Sequence, residues 1–186
     1  MDISKELINY SKKNVPNGSF VLADGTKLPF KEECFNTIIL NDVLEHVPYN
    51  LAMPLLYEAK RTMKRGGSLY ISVANRYQLR EPHTQILFLT WLPRSCWNAI
   101  HKRIKKRQIP NYYPYTIKSL KKLCQEVGFS YRDYTWFYAW NKISKTKHIG
   151  DPFIKKIVEI IKKFNLSRIA YFIAEKVSVI LFICKK

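Results

Sequence analysis

The sequence predicts an α/β chain, a mostly parallel sheet with helices on both faces. Three observations carry that prediction. Short apolar runs rich in β-branched residues alternate with stretches of helical periodicity. Polar residues stand where each run stops, as they do where strands of a parallel sheet end. A chain of 186 residues, 47% hydrophobic and 14% aromatic, is long and apolar enough for one domain with a real core, here residues 1–186.

The elements follow in order. Ser4 is an N-cap candidate for a short helix with Leu7 and Ile8 apolar and Lys12-Lys13 near its end. Pro16-Asn17-Gly18 is a turn, and Ser19–Ala23 reads as a buried strand stopped by Asp24-Gly25. Phe35–Leu40 is a second strand ending in Asn41-Asp42. Leu51, Leu55, Leu56, Ala59 and Met63 then share one helical face, with the helix end placed at Lys64-Arg65-Gly66-Gly67, cations followed by glycine. Ser68–Ala74 is a third strand. In open α/β sheets ligands bind beyond the carboxyl ends of the strands, which points to Asp24, Asn41-Asp42 and Asn75.

Residues 76–115 are too long for a turn between strand and helix, and insertions of this length are usually functional or lid-like. They hold His83, Trp91, Trp97, a basic cluster at Lys102–Arg107 and the run Asn111–Tyr115. Thr116 caps an amphipathic helix of Ile117, Leu120, Leu123 and Val127 that Gly128 terminates. Ser130–Tyr138 is a candidate strand, Phe153–Phe164 an amphipathic basic helix, and Val177–Cys184 an apolar closing strand.

Charge is lopsided. The formal net charge is +18, yet residues 1–100 hold twelve basic and nine acidic side chains while residues 101–186 hold twenty and five. The basic half implies an anionic partner, either nucleic acid or a membrane surface. The amino-terminal stretch has acids and no apolar run of signal-peptide type, and Val179–Cys184 falls short of the roughly 20 residues of a spanning helix. The four cysteines form no C-x-x-C pair, so reduced thiols, no metal and a cytoplasmic location are expected. Ile86–Leu92 and the basic helix Phe153–Phe164 are candidates for peripheral contact with an anionic membrane surface, though the helix's apolar face is expected first to pack on the sheet.

The run Val21-Leu22-Ala23-Asp24-Gly25-Thr26-Lys27-Leu28-Pro29-Phe30, followed by Phe35–Leu40, Asn41-Asp42 and Leu44-Glu45-His46-Val47, resembles the type 11 branch of class I S-adenosylmethionine-dependent methyltransferases. Those proteins read D-x-x-x-L-P-F, F-D-x-I and L-E-H-V in that order. Glu58–Gly67 is similar to the family's helix leading into K-P-G-G, and Tyr115–Phe129 to its later helix ending in G-F. The resemblance implies a Rossmann-like methyltransferase fold, S-adenosyl-L-methionine as cofactor, and a small-molecule, lipid or glycan-precursor acceptor.

It also implies the site, with residues 76–115 as an acceptor-side insertion. Asp2 stands where the family's acid accepts the ribose hydroxyls, Asp24 and the Gly25 backbone where adenine is held, Asn41 and Asp42 along the methionine part, and Glu45-His46 at the pocket border. His46 and His83 are the candidates for a base, should the acceptor have to lose a proton. Tyr112 and Tyr113 are candidates to line the acceptor pocket or to pack in the core. The family's glycine loop has no counterpart, since no G-x-G occurs anywhere. The expected fold is therefore incomplete at its amino end, lacking the first strand, the first helix and most of the second strand. It is completed by residues beyond Met1, by a second chain, or not at all in a non-catalytic relative. A nucleic-acid-binding or RNA-modifying module is the alternative function.

Overall fold

The computed structural model describes residues 1–81, 85–105, 112–138 and 179–186, with Lys156, Glu159 and Lys163 as single helical positions. Helix α1 (Lys5–Asn14) begins where the Ser4 hydroxyl accepts the Leu7 N–H at 3.3 Å, and Lys12 and Lys13 lie in its last turn. The run Ser19–Ala23 makes less than a strand: Leu22 pairs with Asp2 in a single parallel bridge. Strand β1 (Phe35–Asn41), helix α2 (Tyr49–Thr62) and strand β2 (Met63–Val73) follow.

Helix α2 ends earlier than the sequence suggests. The carbonyls of Arg61 and Thr62 accept the N–H groups of Glu33 and Cys34, which draws the chain into the sheet at once. Lys64–Gly67 form a bulge within β2 instead of a helix end: Phe35 pairs with Met63, and Thr37 already pairs with Ser68. Gly66, at φ +73°, makes that detour without strain.

The expectation of a mostly parallel sheet is corrected. The four strands lie in the order β1-β2-β4-β3. β1 runs parallel to β2, but β4 (Ile180–Lys185) is antiparallel to β2 on one side and to β3 (Ser130–Asp133) on the other. The helix–strand alternation behind the expectation stops after β2, so it carried no information about the reversed strand. β3 is also shorter than Ser130–Tyr138, because the Asp133 carboxylate accepts the Thr135 N–H at 3.0 Å and starts a helical turn. The expected helix Phe153–Phe164 lies almost wholly outside the described residues.

One face of the sheet carries the core. Ile38 and Leu40 of β1, Leu69, Ile71 and Val73 of β2, and Ile180, Phe182 and Cys184 of β4 meet Leu55, Leu56 and Ala59 of α2. Helix α4 (Ile117–Glu126) adds Leu120, Leu123 and Cys124, capped by the Thr116 hydroxyl and stopped at Gly128, φ +77°. The two helices are tied together by Lys60, whose ammonium donates to the carbonyls of Val127 and Gly128 at 2.8 Å each.

The outer edge of β1 is open. Asp42 sends its N–H to Ser72 of β2, so by strand alternation Thr37, Ile39 and Asn41 aim their backbone groups the other way. Among the described residues no strand pairs with that edge, and the Ile39 side chain is 65% exposed.

Beyond β2 the chain builds a smaller second core from Ala74, Leu89, Trp97 and Tyr112. It contains a 3-10 turn at Leu89–Trp91 and helix α3 (Arg94–Lys105), neither of which the sequence reading resolved. The helix buries Trp97 and His101, one turn apart.

Candidate functional site

Two groups of polar residues gather at strand ends. The first is Asp2 with Asp24. Asp2 donates its N–H to the Val21 carbonyl and accepts the Ala23 N–H, so the two aspartates emerge from neighbouring parallel segments. The Asp2 carboxylate accepts the Ser4 N–H at 2.8 Å, and that of Asp24 accepts the Thr26 N–H at 2.8 Å. Those contacts with Thr26 hold the exposed Asp24 carboxyl below the ordinary carboxylate range. Gly25 lies tight against α2: a Cβ there would stand 3.0 Å from the Leu55 Cδ1.

The loop carrying Asp24 is clamped from below by two residues that the sequence reading missed. Glu58 accepts the Leu28 N–H at 2.7 Å, and Arg61 donates to the carbonyls of Leu28 and Phe30 while pairing with Glu58 at 2.7 Å. The signal was present in the sequence as an acid and an arginine three residues apart on a helix.

The second group follows β1. Asp42 sits at φ +52°, and its carboxylate accepts from the Ser72 hydroxyl and the Asn41 amide, both at 3.1 Å. The next turn, Leu44–His46, buries Glu45 to 3% exposure. One carboxyl oxygen accepts the Ala74 N–H at 3.2 Å, while the other is buried with no hydrogen-bond partner among the described residues. Burial pushes this carboxyl above its ordinary range, helped by the nearby Asp42 charge. The Glu45 backbone carbonyl also accepts the Tyr113 N–H, so this residue links the ends of β1 and β2 to the chain entering α4. His46 is exposed, its ring 6.3 Å from that of Tyr112.

The structure thus brings Asp2 and Asp24 together, and likewise Asn41, Asp42, Glu45 and His46. Tyr112 is buried in the second core, and burial raises its phenol far above the usual range. Tyr113 is half-buried under the Arg94 guanidinium, 4.0 Å from its ring centre. Asn75 is buried, its side-chain oxygen accepting the Tyr77 N–H at 3.0 Å. His83 lies outside the described residues. A cleft of about 880 Å³ opens beside Asn75 and Tyr77, walled by Thr116, Lys118, Lys121 and Tyr131 of the α4 region. Neither Asp2 nor Asp24 lines it. Among the described residues no cluster of histidine, cysteine and acidic side chains could hold a metal ion, and no helix is long and apolar enough to cross a membrane.

Chemically, these positions offer carboxylate acceptors for hydroxyl or amino groups and a buried acid. Residues 1–71 match the family model of a methyltransferase domain. An uncharacterized protein of Methanocaldococcus jannaschii is 38% identical over 76 residues, a stretch that is 41% of this chain and 35% of that protein. The match thus spans about a third of that relative's length. Among solved structures, a SAM-dependent methyltransferase of Methanosarcina mazei superposes with a TM-score of 0.59 at 15% identity, covering 100% of this chain and 79% of its own. A SAM-dependent methyltransferase of Archaeoglobus fulgidus gives 0.57 at 14% identity, covering 99% and 73%. At such identities the likeness is one of fold.

Proposed function

We propose methyl transfer from S-adenosyl-L-methionine to a small-molecule, lipid or glycan-precursor acceptor, a reading supported by the match of residues 1–71 to a methyltransferase-domain model and by a fold like that of solved S-adenosylmethionine-dependent methyltransferases. The observation that carries this reading is the placement of Asp2 and Asp24 side by side, one half-buried and one exposed and held anionic.

The residues present fit the cofactor's chemistry. A ribose diol needs a carboxylate that accepts two hydroxyls, and Asp2 supplies it. An adenine amino group needs an acceptor beside a close-lying backbone, which Asp24 and Gly25 supply. Asn41 and Asp42 would lie along the methionine end. The bound cofactor supplies a methyl group already activated on a sulfonium. What is left to the protein is to hold the acceptor in line, and positioning alone contributes much of the rate. His46 stands exposed at the border of this surface, where a base is needed only for acceptors that must lose a proton.

The test is calorimetric titration of the folded chain with S-adenosylmethionine, then of Asp24→Ala. Saturable binding that weakens by about tenfold or more in the variant is expected, the scale of one lost charge-assisted hydrogen bond. Binding by the parent that Asp24→Ala leaves unchanged would remove Asp24 from the site. A folded chain that ignores the cofactor would overturn the proposal for this chain by itself.

A further inference from the structure

We propose that the turn after β2 and helix α3 form a surface that docks on an anionic lipid membrane. Leu87, Phe88, Trp91 and Leu92 around the 3-10 turn, with Ile104 on α3, all face solvent, and Leu92, the most covered of them, is still 42% exposed. These residues are no floppy fringe, since Leu89 and Trp97 from the same stretch are buried beneath them. The aromatic rings are braced: Phe88 and Trp91 meet edge to face at 5.3 Å, and Trp91 meets Tyr77 at 5.9 Å. The Trp91 indole N–H donates to the Gln78 carbonyl at 3.2 Å, so the ring can enter an apolar layer without carrying in an unmet donor.

Phe88 adds a second, independent observation. It sits at φ +56°, in the left-handed region that bulky side chains avoid. Glycine or asparagine would hold that turn more easily, so the exposed phenylalanine is kept there at a cost in backbone strain.

Charge decides the partner. From Gln85 to Ile104 the chain carries Arg94, Lys102 and Arg103 and not one aspartate or glutamate. Lys102 and Arg103 stand exposed on α3, which packs beside the turn. An apolar patch with aromatic residues, flanked by exposed cations, is what an interfacial element presents to anionic headgroups. The inference does not rest on methyl transfer.

The test uses the full chain and sedimentable vesicles of phosphatidylcholine, with and without about 30% phosphatidylglycerol, at low and high salt. The chain should pellet with the anionic vesicles, and about fivefold less should pellet at high salt, as screened electrostatics require. Phe88→Asn, which the left-handed backbone tolerates, should melt no lower than the parent and lose about tenfold in vesicle affinity. Leu87→Ser, farther from the strained position, should act in the same direction. Lys102→Ser with Arg103→Ser should erase the preference for anionic vesicles. Failure to pellet, equal pelleting with neutral vesicles, or full binding by both Phe88→Asn and Leu87→Ser would overturn the proposal. So would a concentration-dependent dimer in lipid-free solution that Phe88→Asn abolishes, because a second copy would then own the surface.

Discussion

Replacing Glu45 by glutamine tests how the strand ends are electrostatically set. Glutamine keeps an oxygen for the Ala74 N–H, keeps nearly the same volume, and removes the ionisable group. Burial raises the folded-state pKa of Glu45 above the ordinary 4.5, so the folded chain still holds a proton at pH values where the unfolded chain has released it. Well below that range both states are protonated and no penalty applies. As pH rises from the unfolded to the folded pKa, the wild type loses stability that the glutamine variant retains. One proton sets the ceiling on the slope, about 1.4 kcal/mol per pH unit. With a urea m-value of roughly 2 kcal/mol/M, that ceiling is about 0.7 M of midpoint per pH unit. The assay is a set of urea titrations of both proteins from about pH 4 to about pH 8, compared at each pH so that other groups cancel. The constant offset between them reports the amide's own fit and is of no consequence. Parallel midpoint curves, or a wild type that gains on the variant as pH rises, would refute a buried, proton-retaining Glu45.

Three further outcomes follow from packing. Phe182→Ala should cost about 3–5 kcal/mol in a urea titration, since the ring is fully buried and stacked on Tyr131 at 5.0 Å. Gly66→Ala and Gly67→Ala should differ in mechanism. The first meets open space but a φ of +73° and should lose about 1 kcal/mol, whereas the second would put a Cβ 2.8 Å from the Lys64 carbonyl oxygen and should lose more, by the same titration. A thiol-alkylating reagent followed by peptide mass analysis should label Cys34 and Cys96 in the folded chain and spare Cys124 and Cys184, which are buried 3.8 Å apart with the Cys124 thiol held protonated.

Local signals in the sequence were reliable where local physics decides. The Thr116 cap and Gly128 stop bracket α4 because both act within one turn of the helix. The β-branched run at Phe35–Leu40 is β1. The Lys64–Gly67 stretch misled because glycine at positive φ serves a helix end and a strand bulge equally well, and the choice was made by Glu33 and Cys34, some thirty residues away. The reversed sense of β4 is likewise a long-range fact. For the site, the Asp24-Gly25 and Asn41-Asp42 pairs were legible as strand-end residues. The burial of Glu45 was not, since an acid in sequence reads as solvent-exposed until a fold removes its water. Glu58 and Arg61 were visible only as a helical ion pair, and their grip on the Asp24 loop depends on how that loop crosses α2.

The place of β4 in the sheet sets an order of assembly. Ser68 and Lys185 are neighbours in the folded molecule although 117 residues separate them along the chain, and β3 finds its only described strand partner in β4. Until β4 arrives, β2 has one bare flank, Leu69, Ile71 and Val73 lack part of their cover, and α4 has only part of a sheet to sit on. Long loop closure of this kind slows folding and prolongs the life of open-edged intermediates. During synthesis, the earlier elements emerge from the ribosome and wait. A lesion in the six residues of β4 removes a partner from both β2 and β3 at once.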